Sequence, residues 1–161
     1  MEGIEHPPDP RTAAIVILGV LSPATGIAPG VTRAAVVRDP AISAGIGVFG
    51  AIQSTASSLG VEVSPVNARD SGEMEGAIET FARATNGGLI VTPSALATVH
   101  RGLLVALAAR HRLPAVYFAP YFVTSGGLVS YGPDPIDQYR QAAGYVDRVL
   151  RGERLSFGKA L

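Results

Sequence analysis

From Thr32 to Tyr117, short apolar runs alternate with longer stretches whose apolar residues recur every three or four positions. Few folds accept that rhythm. Arg33–Val37 (RAAVV), Leu89-Ile90-Val91 and Ala115-Val116-Tyr117 are apolar nearly end to end, as strands covered on both faces are. Between them, Ile42, Ile46, Phe49, Ile52 and Ala56 make one helical stripe, and Met74, Ala77, Ile78, Phe81 and Ala82 a second. Leu96, Val99, Leu103, Ala106 and Leu107 make a third. Helices of this length between strands are crossovers, and crossovers join parallel strands in a right-handed sense. The expected architecture is a single three-layer α/β/α lobe around a parallel sheet of about five strands.

The punctuation agrees. Asp39-Pro40 reads as an N-cap followed by proline at the first helical position, where a missing N–H and a fixed φ cost nothing. Gly60 suits the left-handed residue that ends a helix. Asp70-Ser71 and Ser94 read as further N-caps, and Asn86-Gly87-Gly88 as a helix end. Val61–Val66 (VEVSPV) is a strand whose Pro65 lacks a donor, so it belongs at a sheet edge. Asp134-Pro135 repeats the earlier cap and opens a last stripe, Ile136, Tyr139, Ala143, Val146 and Leu150, closed by Gly152. Near the N-terminus, Ala13–Val20 (AAIVILGV) reads as a short buried strand, with a core-capping helix as the alternative.

The stretch Leu113–Gly132 reads as strand, aromatic loop, strand, with Leu128–Tyr131 as its second strand. The loop carries Pro120, Tyr121, Phe122, Thr124 and Ser125. Its aromatics either close the end of a small core or touch a ligand. The string RHRLPAVYFAPYFVTSGGLVSYG, followed by Asp134, Tyr139, Ala142-Ala143 and Leu150-Arg151-Gly152, resembles the ABC-transporter substrate-binding protein family of type 1 periplasmic-binding fold. The branch with tryptophan- and tyrosine-binding members is the one it is similar to. Upstream, APGVTRAAVVRDP, NGGLIVTP and TVHRGLLVALAARHRLPAVY match the same family in order. Family proteins have two lobes, and the resemblance covers only the second. It implies a flavodoxin-like strand order, 2-1-3-4-5, over residues 27–161, and leaves residues 1–26 as an arm and apolar segment of unclear role. A stand-alone or truncated second lobe is therefore expected, with weak ligand binding and an ABC permease as partner in a full-length context.

Open α/β sheets bind ligands beyond the carboxyl ends of their strands, beside the point where strand order reverses. In this order that point lies between the first and third strands. The loops converging there hold Asp39 and Pro40, then Ser94 and Ala95. Tyr121, Phe122, Tyr131 and Asp134 end on the same edge. Helix N-termini suit a carboxylate and aromatics suit an apolar body, so the set fits an amino-acid-like ligand. Taken singly, Asp39, Ser94 and Asp134 also serve as ordinary caps, and Tyr131 as strand packing.

No catalytic constellation is evident. Gly45, Gly47 and Gly50 spell a dinucleotide fingerprint, but they fall inside a helix instead of at its entry turn, where close helix packing would explain them. His100 and His111 have no carboxylate or cysteine cluster beside them, so neither a metal site nor a cofactor is expected. A non-catalytic binding lobe is the favoured reading. A small flavodoxin-like nucleotide-binding domain or enzyme is the alternative.

Composition narrows the partners. Net charge is zero, which gives no electrostatic case for nucleic acid. Cysteine is absent, excluding disulfides. With 47% hydrophobic and 16% charged residues, the chain is apolar for its size, and a face left uncovered would favour a homodimer. The longest apolar run, Ala13–Leu21, is about half of a membrane span. MEGIEHPPDPR before it lacks the basic character of a signal peptide, so as written the chain is expected in the cytoplasm. The family resemblance implies the periplasm.

Overall fold

The structure is a computed structural model that describes residues 10–21, 28, 30–132, 140, 143, 147, 150 and 151. Five strands, β1 (Arg33–Arg38), β2 (Glu62–Asn67), β3 (Gly87–Val91), β4 (Ala115–Tyr117) and β5 (Val129–Ser130), form one sheet in the order β2-β1-β3-β4-β5. Every pairing is parallel. The expected flavodoxin-like lobe is therefore the observed fold.

Side-chain alternation along the central strands builds two cores. Ala34 and Val36 of β1 point to one face with Ile90 and Val116. Ala35 and Val37 point to the other with Leu89, Val91, Ala115 and Tyr117. All five residues of β3 are buried, which is why that run shows no polar alternation. Pro65 is exposed on β2, which pairs with β1 alone, as its missing N–H requires.

The second core face is roofed by α3 (Ser71–Ala82), α4 (Ala95–Val99), α5 (Arg101–Arg110) and α6 (Pro120–Thr124). Asp70 caps α3, its Oδ1 accepting from the Glu73 amide at 2.8 Å, while Glu73 Oε2 accepts from the Arg69 amide at 3.0 Å. That reciprocal pair is a capping box. The single helix expected after Ser94 is two, broken at His100 (φ −99°, ψ 27°). The break changes the phase of the stripe. Leu104, Leu107 and Ala108 are the buried residues of α5, while Ala106 is exposed and Val99 of α4 is 73% exposed.

The first core face is covered by α1 (Pro10–Leu21) and α2 (Ser43–Ala56). The AAIVILGV run is thus helical, not a strand. Its continuous apolar character hid a period that burial reveals: Ala14, Leu18 and Leu21 are 1% exposed or less, whereas Ile15 is 53% exposed. A run of 12 residues opened by proline favours helix over strand. The whole of this helix lies within residues 1–26, whose role the sequence left unclear, and its Ala14, Leu18 and Leu21 are part of the core.

Two further stripes need correction. In α2, Phe49, Ile52 and Ala56 are buried, but Ile46 is 54% exposed. Gly47 and Gly50 do not serve close packing, because a Cβ on either would meet nothing within 4 Å. In the last stripe, Ala143 and Leu150 are helical but face solvent, as do Arg140 and Asp147, which lie outside the stripe. Asp147 and Arg151 pair across one helical turn at 3.0 Å on that wet side. Ile136, Tyr139, Val146 and Gly152 lie outside the described residues.

Candidate functional site

The C-terminal ends of the strands line up along one edge. Val37 lies opposite Val91, Val91 opposite Tyr117, and Tyr117 opposite Ser130. Arg38, Thr92, Phe118 and Tyr131 therefore follow in register, about 4.8 Å from one strand to the next, with Asp39 and Pro93 one residue further on. The reversal of strand order falls between β1 and β3. Thr92, buried at 3% exposure, ties these two strands at that point: its hydroxyl donates to the Val37 carbonyl at 2.8 Å.

Asp39 and Pro40 act differently from expectation. Asp39 Oδ1 accepts from the Ala41 amide at 2.8 Å, and the Ile42 amide donates to the Asp39 carbonyl at 3.3 Å. These bonds close a turn through Pro40 and Ala41, so the helix starts later. The N-cap position of α2 falls to Ile42, which has no side-chain acceptor to offer. The first amides of α2 consequently lack a side-chain cap at the reversal point, while α3 and α4 are capped.

Ser94 is an N-cap as expected, its Oγ accepting from the Ala97 amide at 3.0 Å. Ala95 opens α4 and is exposed. Thr98, one turn on, donates its hydroxyl to the Ser94 carbonyl at 2.9 Å and stands 3.3 Å from the Tyr121 hydroxyl. The loop expected around Tyr121 is the short helix α6, with Pro120 in its first turn.

The aromatics divide by burial. Tyr117 and Phe122 stack at 4.8 Å and 12°, and both are fully buried. Phe122 is thus a core residue with no free face for a ligand, contrary to its place among the expected contacts. Burial pushes the Tyr117 hydroxyl up to about 12. Tyr121 and Phe118 are half-buried, edge to face at 6.0 Å, and form the rim of the same cluster. Tyr131 is half-buried against the opposite core, its amide donating to the Tyr117 carbonyl at 2.7 Å. Tyr121 and Tyr131 therefore flank the edge from opposite faces of the sheet. Asp134 lies outside the described residues.

Three residues escaped the sequence reading. Phe118 follows β4 directly, and its position at a strand's carboxyl end was the available signal. Thr98 lies one turn after the cap Ser94. Arg38, the last residue of β1, lies over the Phe49 ring at 4.7 Å and donates from Nε to Asn67 Oδ1 at 2.7 Å. It brings a cation to an edge otherwise furnished with amides, hydroxyls and aromatic rims.

A second concavity, of about 400 Å³, lies at the other end of the sheet, where β1, β3 and β4 begin.

Among the described residues, no helix is long and apolar enough to cross a membrane. Comparison with the curated proteins gave no match. Among solved structures, a Streptococcus pneumonia ABC domain in complex with L-Trp aligns with a TM-score of 0.70 at 15% identity, over 90% of this chain and 48% of that one. A conserved domain protein of Vibrio cholerae gives 0.70 at 18% identity, over 90% and 46%. The ligand-free, open form of a Clostridium difficile substrate binding protein with adhesive properties gives 0.63 at 16% identity, over 88% and 45%. The chain thus spans about half the length of each, which fits a single lobe. The model of the family described as ABC transporter substrate binding protein matches residues 21–156, so the chain belongs to that family.

Proposed function

We propose that the chain is a non-catalytic half-site for a small amphipathic ligand, an amino acid or a close relative, delivered to an ABC permease when a second lobe completes the site. The observation that carries this reading is the α2 N-terminus at the strand-reversal point, which has no side-chain cap and lies on the edge that Phe118 and Tyr121 rim. Amides without an acceptor and a positive dipole end favour a carboxylate. Arg38 adds charge of the right sign beside them. The half-exposed rings of Phe118 and Tyr121 offer apolar area to a side chain. The pneumococcal neighbour was crystallised with L-Trp, which supports an amino-acid-like ligand here.

Family members are normally periplasmic or extracellular, and we place this protein there. One lobe covers about half of what a closed site would, so affinity falls in the millimolar range. Self-association through the exposed Ile15 and Ile46 on α1 and α2 would cover apolar surface. The sheet-edge pairing that AAIVILGV would offer as a strand is removed by its folding as a helix. A thermal-shift screen with amino acids, nucleotides and flavins tests the class of ligand, because binding to the native state raises its stability. Stabilisation by amino acids alone fits the proposal. Stabilisation by a nucleotide or flavin alone contradicts it.

A further inference from the structure

The hollow at the amino ends of the strands lies among three turns: Gly30-Val31 before β1, Ala82–Gly87 between α3 and β3, and His111–Pro114 between α5 and β4. Its volume of about 400 Å³ is within the range of small-molecule sites. Arg83, His111 and Arg112 line it, and no lining residue is acidic. The nearest carboxylates on α3, Glu75 and Glu79, face Arg110 at 3.7 and 3.6 Å. Among the described residues, Arg83 and Arg112 have no ion-pair partner.

Helix dipoles account for part of this charge. Helices α3 and α5 end here, and each carboxyl end carries about half a negative charge. Together they offset about one of the two guanidinium groups. They do not explain the backbone. Arg112 has φ +53°, at the position after a helix where glycine is the usual occupant. Asn86, on the opposite turn, has φ +60°. A long cationic side chain kept in a left-handed conformation is an outlier of the kind that marks functional sites.

A second observation is independent of charge. Among the described residues, Arg33 Nη1 and His111 Nε2 are the side-chain polar atoms that are buried without a hydrogen-bond partner. Both belong to this end of the sheet. His111 lines the hollow, and the Arg33 amide donates to the Asn86 carbonyl at 3.1 Å. The Arg33 guanidinium lies over the Phe81 ring at 4.6 Å. Buried polar atoms of this kind ordinarily have a partner, an ordered water or ion included.

We propose that this hollow binds a phosphate-class oxyanion, held by Arg83 and Arg112, with Val31, Leu113 and Pro114 as an apolar wall for any organic body attached to it. The site lies at the opposite end of the sheet from the amino-acid half-site and does not depend on it.

The probes are inorganic phosphate and phenyl phosphate, each compared with sodium chloride at equal ionic strength. Calorimetry reads affinity, and amide chemical shifts read position. Both phosphates are expected to shift Gly30, Asn86, Gly87 and Arg112. Tighter binding of phenyl phosphate assigns an ester as the ligand, and equal affinity assigns the free anion; either supports the site. Arg112→Gly keeps the left-handed turn while removing the guanidinium. It is expected to melt no lower than the parent in chloride, yet to bind phosphate about tenfold more weakly, the value of one charge-assisted hydrogen bond. Arg83→Gln is expected to weaken binding similarly. No response to phosphate beyond that to chloride, or undiminished binding in both variants, overturns the proposal and leaves the arginines as complements to helix ends.

Discussion

The hydroxyls of Thr98 and Tyr121 stand 3.3 Å apart and join α4 to α6 across the rim of the aromatic cluster. The separation is long for a hydroxyl pair, so the bond is a weak one. A double-mutant cycle with Thr98→Val and Tyr121→Phe is expected to give a coupling of about 0.5 kcal/mol. The cycle is needed because Thr98→Val also removes the bond to the Ser94 carbonyl. Zero coupling would mean that the two hydroxyls do not interact in solution.

Tyr117 should titrate late. Its hydroxyl is buried and pushed up to about 12 from an ordinary value of 10.0. The raised value favours the neutral form of the folded protein. The stability it contributes is fully present below pH 10 and is lost as pH rises from 10 to 12. Ultraviolet titration should show one of the five tyrosines ionising only with unfolding. Ionisation of every tyrosine near pH 10 with the fold intact would contradict the burial.

Glycines in the two halves of the chain should respond oppositely to alanine. At Gly127 a Cβ would come within 2.7 Å of the Tyr117 ring and 2.8 Å of the Phe122 carbonyl oxygen. Neither neighbour can yield, one being a stacked core ring and the other backbone. Gly127→Ala should cost about 1–3 kcal/mol. Gly50 is exposed in α2 with nothing within 4 Å, so Gly50→Ala should add about 0.5–1 kcal/mol. Denaturant melts of the two variants check both signs. Destabilisation at Gly50 would restore a packing or ligand role for the glycine pattern around it.

Leu18 is fully buried among Ala14, Leu21, Val36 and Ile52. Leu18→Ala should cost about 2–5 kcal/mol if α1 is part of the core. A cost near that of a surface change, within about 0.5 kcal/mol, would make the segment peripheral.

The parallel strands, the edge position of β2 and the caps at Asp70 and Ser94 were legible because each rests on local chemistry: apolar runs, a missing proline donor, a short oxygen-bearing side chain. The strand order was legible only through the family resemblance. The misreadings share another cause. In AAIVILGV and around His100, uniform apolarity or a break in the helix concealed the phase, and only packing supplies it. The candidate site was legible as an edge but not residue by residue. Asp39 closes a turn because Pro40 and Ala41 precede the helix, and Phe122 is drawn inward by Tyr117. Arg38 carried no signal of its own, since a terminal strand arginine reads as an ordinary solvated end.

The most direct measurement is an amide chemical-shift titration of the intact protein with a panel of amino acids, tryptophan included. The proposed half-site predicts saturable shifts at Ile42, Ser43, Thr92, Ser94 and Tyr121, with dissociation constants in the millimolar range. Absence of shifts along that edge for every amino acid, or shifts confined to the hollow beside Asn86 and Arg112, would contradict it.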